Sequence, residues 1–177
     1  MRQAMLREPA NDETRLAAIH ACLDEVSDPE IPGLSIRDLG VLREVGLDGD
    51  TVIVTITPTY SGCPAMTFIE MNIRDVLLRS GAGAVEVKTI LAPAWTTDWL
   101  TEAGREKLRE MGIAPPEESA GGGAAGKAAL FGVDPDVTCP RCGSRTTRLL
   151  SPFGSTACKA LYHCDGCLEP FDYFKCI

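Results

Sequence analysis

Histidine is scarce in this chain: only His20 and His163 occur in 177 residues. A cysteine nucleophile needs a base within reach, usually histidine, and a di-iron carboxylate site interleaves histidines with acids. His20 lies in a helix-like stretch and His163 beside a cysteine, so neither set assembles, and independent hydrolysis or oxygenation is not expected. The glycine loop with a Lys-Ser/Thr pair and the dinucleotide fingerprint are missing too, which removes nucleotide-driven chemistry. Positive charge is short. With 17 Lys+Arg against 25 Asp+Glu the formal net charge is −8 and the pI is near 4.8, the wrong sign for a nucleic-acid groove. No apolar run approaches the roughly 20 residues of a membrane span. The first residues, MRQAMLREPANDETRL, mix acids and bases without an apolar signal core. The expectation is a soluble, cytoplasmic protein with no nucleic-acid or membrane partner.

Hydrophobic residues, at 45%, suffice for a packed core. Asn11 or Asp12 can cap a first helix carrying Leu16, Ile19, Leu23 and Val26 at helical spacing, which should stop before SDPEIPG. VLREVGL (41–47) and TVIVTIT (51–57) flank DGD, a hairpin signal, with Val52, Val54 and Ile56 on one face. A helix from about Pro64 to Arg79 follows, with Met66, Ile69, Ile73 and Val76 as its buried stripe. AVEVKTILA (84–92) reads as a third strand, parallel to the second because a helix joins them. DWLTEAGREKLREMGI supplies a last helix with Leu100, Leu108 and Met111 toward the core and the charges of REKLRE (105–110) toward solvent. Residues 12–113 thus form a small mixed-sheet α/β domain. APPEESAGGGAAGKAA has no apolar period, so 114–133 reads as a flexible Ala/Gly/Pro linker. Short aromatic strands and cysteines then mark a small all-β domain over 134–177.

Six of the eight cysteines lie in the last third. CPRC and CDGC supply Cys139, Cys142, Cys164 and Cys167, separated by residues 143–163. Two residues between cysteines let one tight turn aim both sulfurs at an ion, and two such turns complete a tetrahedron. A segment this small lacks the apolar material to fold alone, so one structural zinc per chain is expected. A closed four-thiolate site needs no redox metal, although a mononuclear iron centre has the same ligands. His163 adjoins this set without being needed by it. Cys158 and Cys176 are left over and default to packing roles.

Cys63 stands apart, in TPTYSGCPAMTFIE, where a strand gives way to a helix. Pro64 suits the first helical turn and Gly62 suits a sharp bend. A thiol beneath the positive end of the helix dipole is expected to have a lowered pKa, and its thiolate binds soft metals. Asp28 and Glu30, in the loop DPE, are the candidate acids near it. The spacing leaves two readings: a reactive thiolate, or a buried cysteine filling a corner. Trp95 and Trp99, in PAWTTDWL, are read as core closure rather than a partner groove.

SDPEIPGLSIRDLGVL, TVIVTITPTYSGCPA and APAWTTDWLTEAGREKL together resemble the iron–sulfur cluster assembly domain family over residues 12–113. The resemblance implies a small α/β fold and an iron- or cluster-handling role for the cysteine of the CP turn, Cys63. Joined to the cysteine ribbon, the whole resembles a family of accessory proteins of bacterial phenylacetate degradation. Those proteins belong with the multicomponent oxygenase that epoxidises the ring of phenylacetyl-CoA. This implies a non-catalytic role in maturing or repairing the oxygenase's di-iron or iron–sulfur centres, with the oxygenase subunits as partners. Cys63 would be the transfer thiolate, Asp28 and Glu30 would shape its surroundings, and Cys158 would be a second ligand from the ribbon. A transient iron or Fe–S cluster would be the cargo, and a homodimer pairing two Cys63 sites is compatible with it. The competing reading is a docking or regulatory component that uses the ribbon as its contact surface and Cys63 as packing.

Overall fold

A computed structural model of the chain describes residues 11–116 and 137–175. The greater part of the expected linker, and Cys176, lie outside the described residues. The chain divides into two compact units, Met1–Trp95 and Thr96–Ile177.

In the first unit, helix α1 (Asp12–Leu23) is capped by Asn11, whose Oδ1 accepts the backbone N–H of Thr14 at 2.9 Å. Ile19 and Leu23 are buried, as is Val26 just past the helix end. Strands β1 (Leu42–Asp48) and β2 (Thr51–Ile56) form the expected hairpin, with Asp48 opposite Thr51 and Gly49 at φ 57 in the turn. Strand β3 (Ala84–Thr89) pairs parallel with β2, which gives a mixed sheet of order β1-β2-β3. The crossover that a parallel pair requires is helix α2 (Ala65–Arg79). Its buried row is Ala65, Ile69, Ile73 and Leu77. Met66 and Val76, expected in that row, are only half-buried because the contact face follows strict four-residue steps from Ala65. Phe68, Met71 and Leu78 are exposed on the other side.

The turns before the sheet are built from short polar side chains. Asp28 Oδ1 accepts the backbone N–H groups of Glu30 (2.8 Å) and Ile31 (3.0 Å). Ser35 and Asp38 bond reciprocally: Asp38 Oδ2 accepts from the Ser35 amide at 3.1 Å and Ser35 Oγ from the Asp38 amide at 3.0 Å. Trp95 is buried, and its indole donates to the Leu39 carbonyl at 2.8 Å. Core closure is thus its role, and it ties the tryptophan loop to the DLG turn.

The second unit starts with a short 3-10 turn (Thr97–Trp99) and helix α3 (Glu102–Glu110), capped by Thr101 Oγ1, which accepts from the Gly104 amide at 3.0 Å. A two-residue strand β4 (Ile113–Ala114) is followed by β5 (Thr147–Ser151), β6 (Lys159–Cys164) and β7 (Pro170–Phe174). The sheet order is β4-β7-β6-β5, with β4 parallel to β7 and the other neighbours antiparallel. Helix α3, which the sequence reading places in the first domain, therefore groups with the unit that carries the ribbon, as does β4, which straddles the expected boundary between domain and linker.

Leu100 and Leu108 are buried as expected, whereas Met111 is 40% exposed. Arg105 departs in the opposite sense. Placed by its sequence spacing on a solvated face, it is 4% exposed. Its guanidinium donates to the carbonyls of Thr97 (2.8 Å) and Pro116. A planar fork with five donors serves two loop carbonyls at once, which offsets the cost of burying the charge. In the sheet core Tyr162 stacks on Phe171 at 5.9 Å between ring centroids and meets Tyr173 edge-on at 5.6 Å. Among the described residues no helix is long and apolar enough to cross a membrane.

Candidate functional site

The CPRC turn precedes β5, and the CDGC turn joins β6 to β7. Gly143 N–H returns to the Cys139 carbonyl (3.0 Å) and Leu168 N–H to the Cys164 carbonyl (2.9 Å), so each knuckle is a closed turn. Gly143 at φ 74 and Leu168 at φ 63 supply the left-handed residue that each turn needs. The four sulfurs of Cys139, Cys142, Cys164 and Cys167 all lie within 4.8 Å of one another. The Cys139–Cys167 and Cys142–Cys164 pairs are at 3.8 and 3.5 Å. A tetrahedral zinc with Zn–S bonds of about 2.3 Å places its sulfurs about 3.8 Å apart, so the constellation fits that ion.

Electrostatics within the set are uneven. Cys164 is brought down to about 6, chiefly by the backbone N–H of Cys167, which points at its sulfur from 3.5 Å. For Cys167 the Glu169 amide likewise pulls downward, but burial and the thiols of Cys164, Cys142 and Cys139 outweigh it and push the group up to about 12. Four thiols this close resist ionising together without a cation, and a divalent ion removes that resistance. No described cysteine is in a disulfide. His163 Nδ1 lies 3.1 Å from Asp165 Oδ1, outside the four-sulfur set. Cys158 is buried at the start of β6, with its sulfur 3.1 Å from Thr156 Oγ1.

Cys63 sits one residue before Pro64, the N-cap of α2, and its carbonyl accepts the Met66 amide at 3.4 Å. Its own amide returns to the Tyr60 carbonyl at 3.2 Å. Gly62 does not use the left-handed region, so the bend rests on the Tyr60–Cys63 turn instead. The thiol is half-buried. Its pKa is raised, not lowered as the helix dipole suggests. Burial is the main cause, and the charges of Glu30 and Asp28 add to it against hydrogen bonds from the Ala65 amide and the Tyr60 side chain. The DPE loop and the CP turn are therefore electrostatic neighbours. They do not form a closed ligand set: among the described residues only the four ribbon cysteines bring three or more such ligand atoms together.

Two residues near this corner escape a reading of motifs. Tyr60 touches the thiol through its side chain, and only its position three residues upstream hints at that. Thr57, at the end of β2, is buried, and its Oγ1 has no hydrogen-bond partner among the described residues. The strand-ending threonine is visible in the sequence, but its isolation is not.

The family model for iron–sulfur cluster assembly protein matches residues 16–89, and that for the PaaD zinc beta ribbon domain matches residues 123–175. The chain is 52% identical over 159 residues to the D component of a putative 1,2-phenylacetyl-CoA epoxidase of Escherichia coli (strain K12), covering 90% of this chain and 92% of that one. It is 38% identical over 94 residues to the Fe-S protein maturation auxiliary factor of Porphyromonas gingivalis, covering 51% of this chain and 85% of the relative. The crystal structure of DUF59, a domain of unknown function from Bacillus anthracis, aligns with a TM-score of 0.48 and 27% identity over 52% of this chain and 89% of that one. A cluster-assembly domain and a four-cysteine ribbon in one chain, matched along nearly its whole length, place the protein in the PaaD family of phenylacetyl-CoA epoxidase components.

Proposed function

We propose that the protein is a cytoplasmic, non-catalytic factor that matures or repairs the metal centres, iron–sulfur or di-iron, of a phenylacetyl-CoA ring epoxidase. The observation that carries this reading is the Cys63 corner: a half-buried thiol beside a helix start, with Glu30 and Asp28 acting on it, in a domain matched by the iron–sulfur cluster assembly family. The same two carboxylates that disfavour a bare thiolate favour an arriving iron cation. When iron binds, the Cys63 thiol releases its proton and the S–Fe bond takes its place. With only one thiolate at the corner among the described residues, the cargo needs further ligands from elsewhere, such as a protein partner. Incomplete ligation suits cargo that must be given up. The ribbon's four cysteines would hold one structural zinc and take no part in transfer.

The raised thiol pKa and the exposed Phe68, Met71 and Leu78 on α2 favour a second reading, a docking component in which Cys63 only packs. Cys63→Ser separates the two. Under transfer, anaerobically loaded iron falls several-fold, delivery to the apo-epoxidase is lost, and zinc content and thermal stability stay at wild-type values. Unchanged delivery would leave only the docking role.

A further inference from the structure

The second unit carries an open groove of about 270 Å³ that neither the zinc site nor Cys63 uses. The strand register explains its position. Ile113 of β4 lies opposite Asp172 of β7, which lies opposite Leu161 of β6, so one row of side chains crosses three strands on the same side of the sheet. The adjoining residues Phe171 and Tyr173, with Tyr162, Ala160 and Ala114, point to the other side, into the core with Cys139 and Cys164. The groove adds Met111 and Pro170 to that row, which gives it an apolar wall.

Two charged residues border it. Asp172 is compensated by Lys159, whose Nζ lies 3.8 Å from its Oδ2 and whose side chain is buried. Arg141, between Cys139 and Cys142, has no hydrogen bond or ion pair among the described residues. Its guanidinium lies over Gly112, with Nη2 3.7 Å from where a Cβ on that glycine would stand. The groove therefore offers one uncompensated cation at the edge of an apolar wall.

We propose that this groove binds a carboxylate carried on a single apolar group. Arg141 takes the carboxylate with its planar fork, and Met111, Ile113, Leu161 and Pro170 cover the apolar body. The volume suits a single apolar group, since pockets that enclose drug-sized ligands begin at about 300 Å³. Neutralised Asp172 gives a cation no purchase. Two sources share this chemistry: a free apolar acid and the C-terminal residue of a protein chain.

The test uses the zinc-loaded, ¹⁵N-labelled full chain, with phenylacetate, neutral phenylacetamide, and a short peptide ending in phenylalanine as free acid or amide. Saturable amide shifts at Gly112, Ile113 and Leu161 are expected with an acid, with the matching amide binding at least ten-fold more weakly. Arg141→Gln weakens the acid by at least ten-fold at unchanged zinc content. The acid–amide comparison needs no variant, so it decides the matter even if Arg141→Gln disturbs the knuckle. Binding of the peptide acid alone assigns the groove to protein C-termini, and binding of phenylacetate assigns it to free acids. Equal binding of acid and amide, shifts mapping away from the groove, or no binding by either acid overturns the proposal.

Discussion

At Cys63 two opposing influences act on one proton. The amide of Ala65 and the Tyr60 side chain stabilise the thiolate, but burial and the charges of Glu30 and Asp28 outweigh them. Because the folded pKa stands above that of a free cysteine, the thiolate fraction at pH 7–8 is depressed, and alkylation should set in at higher pH than for a small thiol. Glu30→Gln removes one of the raising charges. Its alkylation profile should shift toward lower pH, with a rate at pH 7.5 several-fold above wild type, read by peptide mass spectrometry at Cys63. An unchanged rate would show that the Glu30 charge does not act on the thiol. The direction of this shift is not legible in the chain. A helix start just after a strand is a local signal, while the two acids arrive from a loop more than thirty residues upstream. The ribbon ligands are legible because their geometry is local: each knuckle is a four-residue turn that carries its own spacing.

Among the elements, β1, β2 and α2 follow directly from sequence, because DGD marks the hairpin and Pro64 suits the first turn of the helix. The phase of α2 is less legible. Met66 and Val76 are as apolar as the residues that do face inward, and only the sheet beneath selects the row through Ala65 and Leu77. Arg105 is the sharper case. Its charge and spacing match a solvated face, yet the Thr97 and Pro116 carbonyls draw it inside. Arg105→Met should therefore destabilise the second unit by about 2–3 kcal/mol, since the buried Pro116 carbonyl and the half-buried Thr97 carbonyl lose their donor. Arg105→Lys should recover only part of that, because a single ammonium cannot reproduce the fork. Thermal unfolding of the two variants checks both, and a melting point equal to wild type for the methionine variant contradicts the assignment. Strand β4 has no sequence signature at all: two residues show no period, and its partner lies nearly sixty residues downstream.

For the molecule as a whole, half of the four-sulfur set is anchored in the second unit's apolar core, where Cys139 and Cys164 lie among Val137, Tyr162 and Phe171, while Cys142 is exposed. Metal removal should therefore dissolve packing as well as the knuckles. Strong chelation is expected to release one zinc per chain and to collapse the amide dispersion of β5, β6 and β7, while the signals of β1 to β3 persist. Retention of the C-terminal signals after complete zinc loss would mean that the aromatic stack suffices alone.

The parallel pairing of β4 with β7 joins a stretch that precedes the Ala/Gly-rich segment to the last strand after it. Severing the backbone there should not part the pieces. Residues 1–127 and 128–177, produced as separate polypeptides in one cell, are expected to reassociate through this seam and purify together with zinc bound. The position is thus a natural place for a split reporter or an inserted cargo protein, and a poor one at which to trim the chain into two free-standing halves.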